Sequence, residues 1–536
     1  MTSSDSVYSA FQTTAQSYGD RPFLHIPAVA AKAYADHAID LTYGAALHEI
    51  DALTARYGAS GLGLGDRVAV LLDNRAEFFL HWIALNALGV SIVPLNGEAT
   101  VDDLAYIVGD SQPRFILALS SRRELAEKFG LPVVLTTDLS TLPKGTTAQA
   151  APGPRTECAL LYTSGSTGKP KGCILSNEYF YVMGDWYRNL GGLVSLKPGA
   201  ERLLTPLPLV HMNALATSAM GMILTGGCII QLDRFHASSW WSSIRDSGAT
   251  VIHYLGVLPA ILLNLPESPD DRAHAVRFGF GAGINAKHHA AFEARFGIAL
   301  LEAWSMTEVG GAAAVIAQYE PRHVGTSCFG KPESFMDWRL VDDAGQDVTK
   351  GSAGELLVRR AGADPRAGFF SGYLGREQET AEAWAGDWFH TGDVVREGPD
   401  GSLHFVDRKK SIIRRSGENI ASLEVEATLS QIPGVQAVGV APVPDEIRGE
   451  EVFAAIILSD AAGKNEDTAR AIVRAAGETL TYYKVPGYVA FRDSLPLTAS
   501  QKLQRGELKT LARQLVDDGT AFDLRDMKSK SARKTG

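Results

Sequence analysis

The sequence predicts an α/β fold, a mostly parallel sheet flanked by helices and followed by a smaller α+β unit, and three observations carry that prediction. Short apolar runs alternate with helically spaced stretches through the first 150 residues. From about Arg359, short strands separated by Gly turns take over. A last segment of roughly 110 residues, inside the usual domain range, mixes strands with an amphipathic helix.

Taken in order, DRVAVLLDN (66–74) reads as a short buried strand, RAEFFLHWIALNALG (75–89) spaces its apolar residues as a helix, and VSIVPLN (90–96) reads as the next strand. PRFILAL (113–119) and LPVVLTT (131–137) continue this βαβ rhythm, which favours parallel pairing with helices on both faces. The pattern resumes at CIIQL, ATVIHYL and VRFGFGAG. GELLVRR, GSLHFVDR and SIIRRSGENI then read as antiparallel strands, and a domain boundary is expected at 408–411. Beyond it come EVEATLSQIPGVQAVGVAPV, EVFAAIILS and an amphipathic helix over 465–480. The end, MKSKSARKTG, is basic with little to bury, so a disordered tail is expected over 526–536. The chain therefore divides into 1–409, 410–525 and that tail.

Hydrophobic residues make up 45% of the 536, enough for a large core. Lys and Arg number 51 against 61 Asp and Glu, and the net charge of -10 argues against general nucleic-acid or anionic-membrane binding. Any phosphate binding must be local. Cys158, Cys173, Cys228 and Cys328 stand singly with no C-x-x-C pair, which points to a reducing compartment. The start has neither a basic n-region nor an apolar h-region, so no signal peptide is expected. The apolar segments 78–95 and 209–232 are interrupted by His81, Asn86, Pro94, His211 and Asn213 and read as buried core rather than membrane spans. A cytoplasmic protein is the expectation.

The strongest local signal is Tyr162-Thr-Ser-Gly-Ser-Thr-Gly-Lys-Pro-Lys-Gly172, directly after the apolar run CALLY. Its glycines, hydroxyls and exposed backbone N–H groups, with Lys169 and Lys171, have the chemistry of a phosphate cradle. It is not a Walker A loop, because Pro170 follows Lys169 where a Ser or Thr would hold the metal.

This string resembles the phosphate loop of the adenylate-forming superfamily of acyl-CoA synthetases, peptide-synthetase adenylation domains and luciferases. Further matches follow in the family's order: Trp304-Ser-Met-Thr-Glu308, Trp388-Phe-His-Thr-Gly-Asp393, Asp407-Arg408 through Gly417-Glu-Asn-Ile420, and Pro496-Leu-Thr-Ala-Ser-Gln-Lys502. The resemblance implies a small barrel-like β part in the large N-terminal region and a mobile C-terminal domain. It implies ATP, Mg²⁺ and coenzyme A as cofactor and co-substrates, and a small carboxylic acid as the group activated. PLPLVHMN, DRKKSIIRRSGENI and FFSGYLG look most similar to the carnitine and crotonobetaine CoA ligase group.

The chemistry explains the residue types. A carboxylate is a poor acyl donor until its oxygen attacks the α-phosphorus of ATP, giving acyl-AMP and pyrophosphate, and donors must already be aimed at the developing charge. By resemblance, Thr163, Ser164, Gly165, Ser166, Thr167, Gly168, Lys169 and Lys171 cradle phosphate, Thr307 donates to the α-phosphate, and Glu308 binds Mg²⁺. Asp393 is the ribose carboxylate and Arg408 a second nucleotide contact. Trp304 stands where the family usually has Tyr; its face can stack on adenine and its N–H needs a partner. Glu302, Ala303 and Ser305 flank it, and Gly281-Ala282-Gly283 resembles the Gly-rich segment lining the adenine and acyl sites. Lys502 corresponds to the catalytic lysine, with Gln501 in place of the usual Gly. Lys410 matches the hinge position, and Gly417 the face that meets the thiol substrate. His211, Met212, Asn213, Tyr254, Gly256 and Gly281 are the acyl-site candidates, with His253 and Tyr254 offering polar tips at a strand end.

No carrier-protein segment is read in the chain, so free CoA is favoured as acceptor over a peptide-synthetase role. A stand-alone adenylating enzyme with another acceptor and a nucleotide-binding sensor without turnover remain alternatives, and a homodimer is one option for assembly.

Overall fold

The computed structural model describes residues 6–145, 150–163, 170–415, 418–459, 463–497 and 503–528. Two mixed sheets organise the large region. One runs, in spatial order, through Gly372–Tyr373, Lys171–Ser176, Glu157–Thr163, Ser91–Pro94, Arg67–Leu71, Ile116–Ala118 and Val133–Leu135. Its last five strands are parallel, as the βαβ rhythm requires, while the first two pair antiparallel at one edge. The other has eight strands, with Ala299–Trp304, Phe278–Ala282, Val251–Leu255, Arg202–Thr205, Cys228–Gln231 and Pro22–Ile26 parallel in its middle and an antiparallel strand at each edge.

Helix Ala76–Ala87 is apolar nearly all round because it is enclosed by core on every side, ten of its twelve residues being buried. The polar residues interrupting this segment are satisfied inside the protein: His81 Nδ1 lies 2.7 Å from the Tyr57 hydroxyl, and Asn86 donates to Asn177 at 2.8 Å. Among the described residues no helix is long and apolar enough to cross a membrane.

The expected barrel-like part is instead an open five-stranded antiparallel sheet, in the order Cys328–Gly330, Leu403–Arg408, Phe389–Glu397, Ala353–Arg360, Met336–Val341. No closed barrel forms among the described residues, since the two outer strands of this sheet do not pair with each other. The 3₁₀ turn Lys409–Ser411 follows its strand Leu403–Arg408, and the next strand, Ile412–Arg415, belongs to a different sheet built on Gly449–Leu458. That last sheet has its own apolar core, including Ile413, Val440, Val452, Ile456 and Val473. Helix Glu466–Ala476 covers it and starts where Asn465 Oδ1 accepts the N–H of Thr468 at 3.0 Å.

The chain end departs from expectation. Asp526, Met527 and Lys528 are ordered in the 3₁₀ turn Arg525–Lys528, and the Lys528 ammonium is fully buried against Glu451. The same carboxylate takes Arg415 Nε at 2.8 Å and approaches Arg448 at 3.5 Å. Burial, with the charges of Arg415 and Arg448 added, lowers the Lys528 amine to about 8 despite Glu451. Removing the carboxylate would leave buried cations uncompensated. Glu451→Gln should therefore cost the C-terminal unit about 3–5 kcal/mol. Hydrogen exchange should show early loss of protection in Ile412–Arg415 and Gly449–Leu458, with the seven-stranded sheet unchanged; unaltered protection would remove this ion cluster from the stabilising interactions.

Candidate active site

The site grows from the carboxyl end of strand Ala299–Trp304, where the parallel order of the eight-stranded sheet stops. Trp304 is buried and its indole Nε1 donates to Asp393 Oδ2 at 2.8 Å. Asp393 comes from strand Phe389–Glu397, directly opposite Arg408 on the neighbouring strand. Arg408 Nε lies 2.7 Å from Asp393 Oδ1 as an ion pair but is not aligned to donate, so among the described residues Oδ1 has no hydrogen-bond partner. Burial raises the Asp393 carboxyl above its ordinary range, and the Arg408 charge and the Trp304 hydrogen bond oppose that rise. Trp304 thus occupies one carboxylate oxygen, and among the described residues Oδ1 is left as a buried acceptor without a donor.

After Trp304 the chain turns through Ser305, whose hydroxyl donates to Gly310 O at 2.9 Å. Gly310 has φ of +55°, and a Cβ there would lie 2.4 Å from the Tyr179 ring. The glycine thus lets the Thr307-Glu308 turn press against helix Asn177–Arg188. Glu308 is 7% exposed. Its Oε1 accepts the Tyr373 hydroxyl at 2.8 Å, and its backbone carbonyl accepts from Phe370 N at 3.0 Å. Burial and the Glu308 charge raise the Tyr373 phenol well above its ordinary value, so it stays a donor. Lys171, at the start of Lys171–Ser176, pairs with Glu379 and stands 5.0 Å above the Tyr373 ring. Lys410 belongs to the same neighbourhood: burial, then the charges of Lys171 and Arg408, push its amine down.

Glu302 acts on the Gly-rich segment. Its two oxygens accept the N–H groups of Gly283 and Ile284, each at 2.9 Å, and burial raises its carboxyl to about 7. Ala303, one residue on, pairs with Ile316 within the sheet.

The acyl candidates divide. His211 is exposed, Met212 is half-buried, and Asn213 begins a π-helical stretch, Asn213–Ala219, its Oδ1 buried and without a hydrogen-bond partner among the described residues. Such stretches occur frequently at functional sites. Tyr254, in contrast, is buried within the sheet with its hydroxyl 3.4 Å from Leu301 O, and offers no polar tip to a ligand. His253 is likewise a core residue, held between the Tyr187 hydroxyl and Ser218 Oγ at 2.8 Å each and stacked on Phe280. Burial lowers its imidazole to about 3, so it is neutral. Gly256 is needed for backbone packing, since a Cβ there would stand 1.8 Å from Gly283 O.

Thr163 ends strand Glu157–Thr163. Ser164, Gly165, Ser166, Thr167, Gly168, Lys169, Gly417, Gln501 and Lys502 lie outside the described residues. Sequence reasoning missed Tyr373 and Glu379; FFSGYLG (369–375) was the available signal for Tyr373, and nothing in the motifs pointed to Glu379.

Glu308 fits Mg²⁺. Its Oε2 receives no hydrogen bond from a described residue, and no group of three His, Cys, Asp or Glu residues gathers to cage a metal among the described residues. One carboxylate with the remaining positions left to phosphate and water is how Mg²⁺ is commonly bound beside a nucleotide.

Carboxylate, guanidinium and indole meet where two sheets come together, with a second carboxylate and a lysine nearby. The chain belongs to the AMP-binding enzyme family, which matches residues 11–374, with the family's C-terminal domain matching 424–502. It is 32% identical over 522 residues to the sulfoacetate–CoA ligase of Cupriavidus necator, covering 94% of this chain and 97% of that protein. It is 27% identical to the crotonobetaine/carnitine–CoA ligase of Citrobacter koseri, covering 87% and 93%. The o-succinylbenzoate CoA synthetase of Bacillus subtilis, solved with its acyl-adenylate intermediate, shares the fold at a TM-score of 0.80 and 24% identity, covering 95% of this chain and 99% of that one.

The Glu302 carboxyl has a testable linkage. Its folded value of about 7 lies above the ordinary 4.5, so the stability it contributes is fully present below pH 4.5 and is lost as pH rises through 7. Glu302→Gln lacks this ionisation and gives up part of the grip on Gly283 and Ile284. Its melting temperature should gain on the wild type between pH 5 and pH 8; a constant difference would exclude a neutral-range titration of Glu302.

Proposed function

We propose that this chain is an ATP-dependent acid:CoA ligase acting on a small carboxylic acid. It first joins the acid to AMP with release of pyrophosphate, then passes the acyl group to the thiol of coenzyme A with release of AMP. The observation that carries the reading is the Trp304–Asp393–Arg408 cluster beside Glu308, in a chain matched by both segments of the AMP-binding family. The names of the relatives, which join sulfoacetate and crotonobetaine or carnitine to CoA, support the small acid.

In this reading Asp393 Oδ1 accepts a ribose hydroxyl, and Arg408 balances the buried carboxylate while facing the nucleotide. Thr307 donates to the α-phosphate, and Lys169, Lys171 and Lys502 supply positive charge where the acid attacks. Mg²⁺, when bound, draws charge from the phosphate oxygens and is held by Glu308. Gly281, Ala282 and Gly283, shaped by Glu302, border adenine and acid; His211, Met212 and Asn213 border the acid. Lys410 is the hinge between 1–409 and 410–525. Rotation there withdraws Lys502 and brings the Gly417 face to the acyl-adenylate, so one pocket serves two half-reactions. We place the protein in the cytoplasm and leave a homodimer as an option for its assembly.

The test is carboxylate-dependent pyrophosphate release across short, branched, hydroxy, aromatic and betaine acids, with and without CoA. One acid should release pyrophosphate with ATP, and only when CoA is also present should AMP and a thioester form. Lys502→Ala should slow the first half-reaction about 10²–10³-fold, the scale of losing one preorganised charge stabiliser. Formation of ADP would mean a kinase, and ATP binding without turnover a sensor. Lys410→Pro should leave pyrophosphate release nearly intact and slow thioester formation; equal slowing of both half-reactions would remove Lys410 from the hinge role.

A further inference from the structure

From the geometry around Glu308 we infer that Tyr373 is a positioning residue: it holds Glu308 Oε1 and so leaves Oε2 as the single oxygen offered to a divalent cation arriving with a nucleotide phosphate. The inference rests on the proposed role of Glu308 as the metal carboxylate.

The Tyr373 hydroxyl donates to Oε1 at 2.8 Å, and no described residue donates to Oε2. Both residues are fixed from outside this pair. Glu308 is anchored through its carbonyl to Phe370 N. Tyr373 sits on the two-residue strand Gly372–Tyr373, opposite Cys173, and its N–H donates to Thr380 Oγ1 at 3.0 Å. Its ring packs edge-on against Phe370 at 4.8 Å, with Lys171 over its face. The phenol therefore has one direction available, and it ends on Oε1. A lone carboxylate with two free oxygens can rotate between one-oxygen and two-oxygen binding. With one oxygen engaged, it presents the other at a set position. The strand carrying Tyr373 pairs with the strand that leaves the phosphate-loop segment, so the cation's carboxylate and the phosphate side of the site share one support.

The test uses the full chain and calorimetric titration with AMP, with ATP without metal, and with ATP plus Mg²⁺, comparing wild type, Tyr373→Phe, Glu308→Gln and the double variant. Tyr373→Phe keeps the ring, its packing on Phe370 and its backbone bonds. The Mg²⁺-dependent gain in ATP affinity should fall about tenfold in Tyr373→Phe, the lower end for losing a residue that orients a metal ligand, while AMP and metal-free ATP bind as before. The double variant should lose no more than Glu308→Gln alone, because the phenol acts through that carboxylate. An unchanged Mg²⁺ gain, an equal fall in AMP binding, or additive losses in the double variant would overturn the role of Tyr373 while leaving Glu308 in place. Absence of any Mg²⁺-dependent gain in the wild type, or its persistence in Glu308→Gln, would overturn the assignment of Glu308 and the inference with it.

Discussion

The buried carboxylate of Asp393 is the constraint around which the site is arranged. A carboxylate almost fully removed from water survives as an anion only where charge and hydrogen bonds replace its hydration. Trp304 supplies the hydrogen bond from the eight-stranded sheet and Arg408 the charge from the adjacent strand. The consequence reaches beyond the pair. Trp304 must end its strand where the antiparallel sheet delivers Asp393, so the two sheets are held in one relative placement. Arg408 is also the last residue before the turn Lys409–Ser411, so the ion partner of the carboxylate stands at the exit toward the C-terminal sheet.

The second carboxylate, Glu308, is held by different means. No cation pairs with it among the described residues; a phenol donates to one oxygen, and the nearby lysine, Lys171, is engaged by Glu379. Glu308 and Lys171 thus stand close without pairing with each other. Glu379 and Tyr373 keep the two apart at the antiparallel edge of the seven-stranded sheet.

Much of the fold was open to sequence reasoning because its signal is local. Strands Arg67–Leu71, Ser91–Pro94, Ile116–Ala118 and Val133–Leu135 fall inside the apolar runs that announced them, and helix Ala76–Ala87 inside its periodic stretch. Two-residue edge strands such as Gly372–Tyr373 are too short to carry a period. The fate of strand-end side chains also stayed hidden, because tertiary covering decides it. His253 and Tyr254 look like polar tips in sequence, yet Tyr187 on helix Asn177–Arg188 and Ser218 in the π-helical stretch enclose the histidine. Lys528 looked like part of a solvated basic tail because its counter-ion, Glu451, lies 77 residues upstream. In the site, motif order singled out Trp304, Glu308, Asp393 and Arg408, of which the structure joins Trp304, Asp393 and Arg408. It said nothing of the indole taking Asp393 Oδ2, which follows from the meeting of two sheets.

The electrostatics at the turn Lys409–Ser411 follow from the same crowding. Lys410 lies within the fields of Lys171 and Arg408, and both disfavour its protonated form in addition to burial. Three cations gathered at one face of a chain whose net charge is -10 are not explained by overall composition. Their mutual repulsion is a local cost that Glu379, paired with Lys171, and Asp393, paired with Arg408, offset.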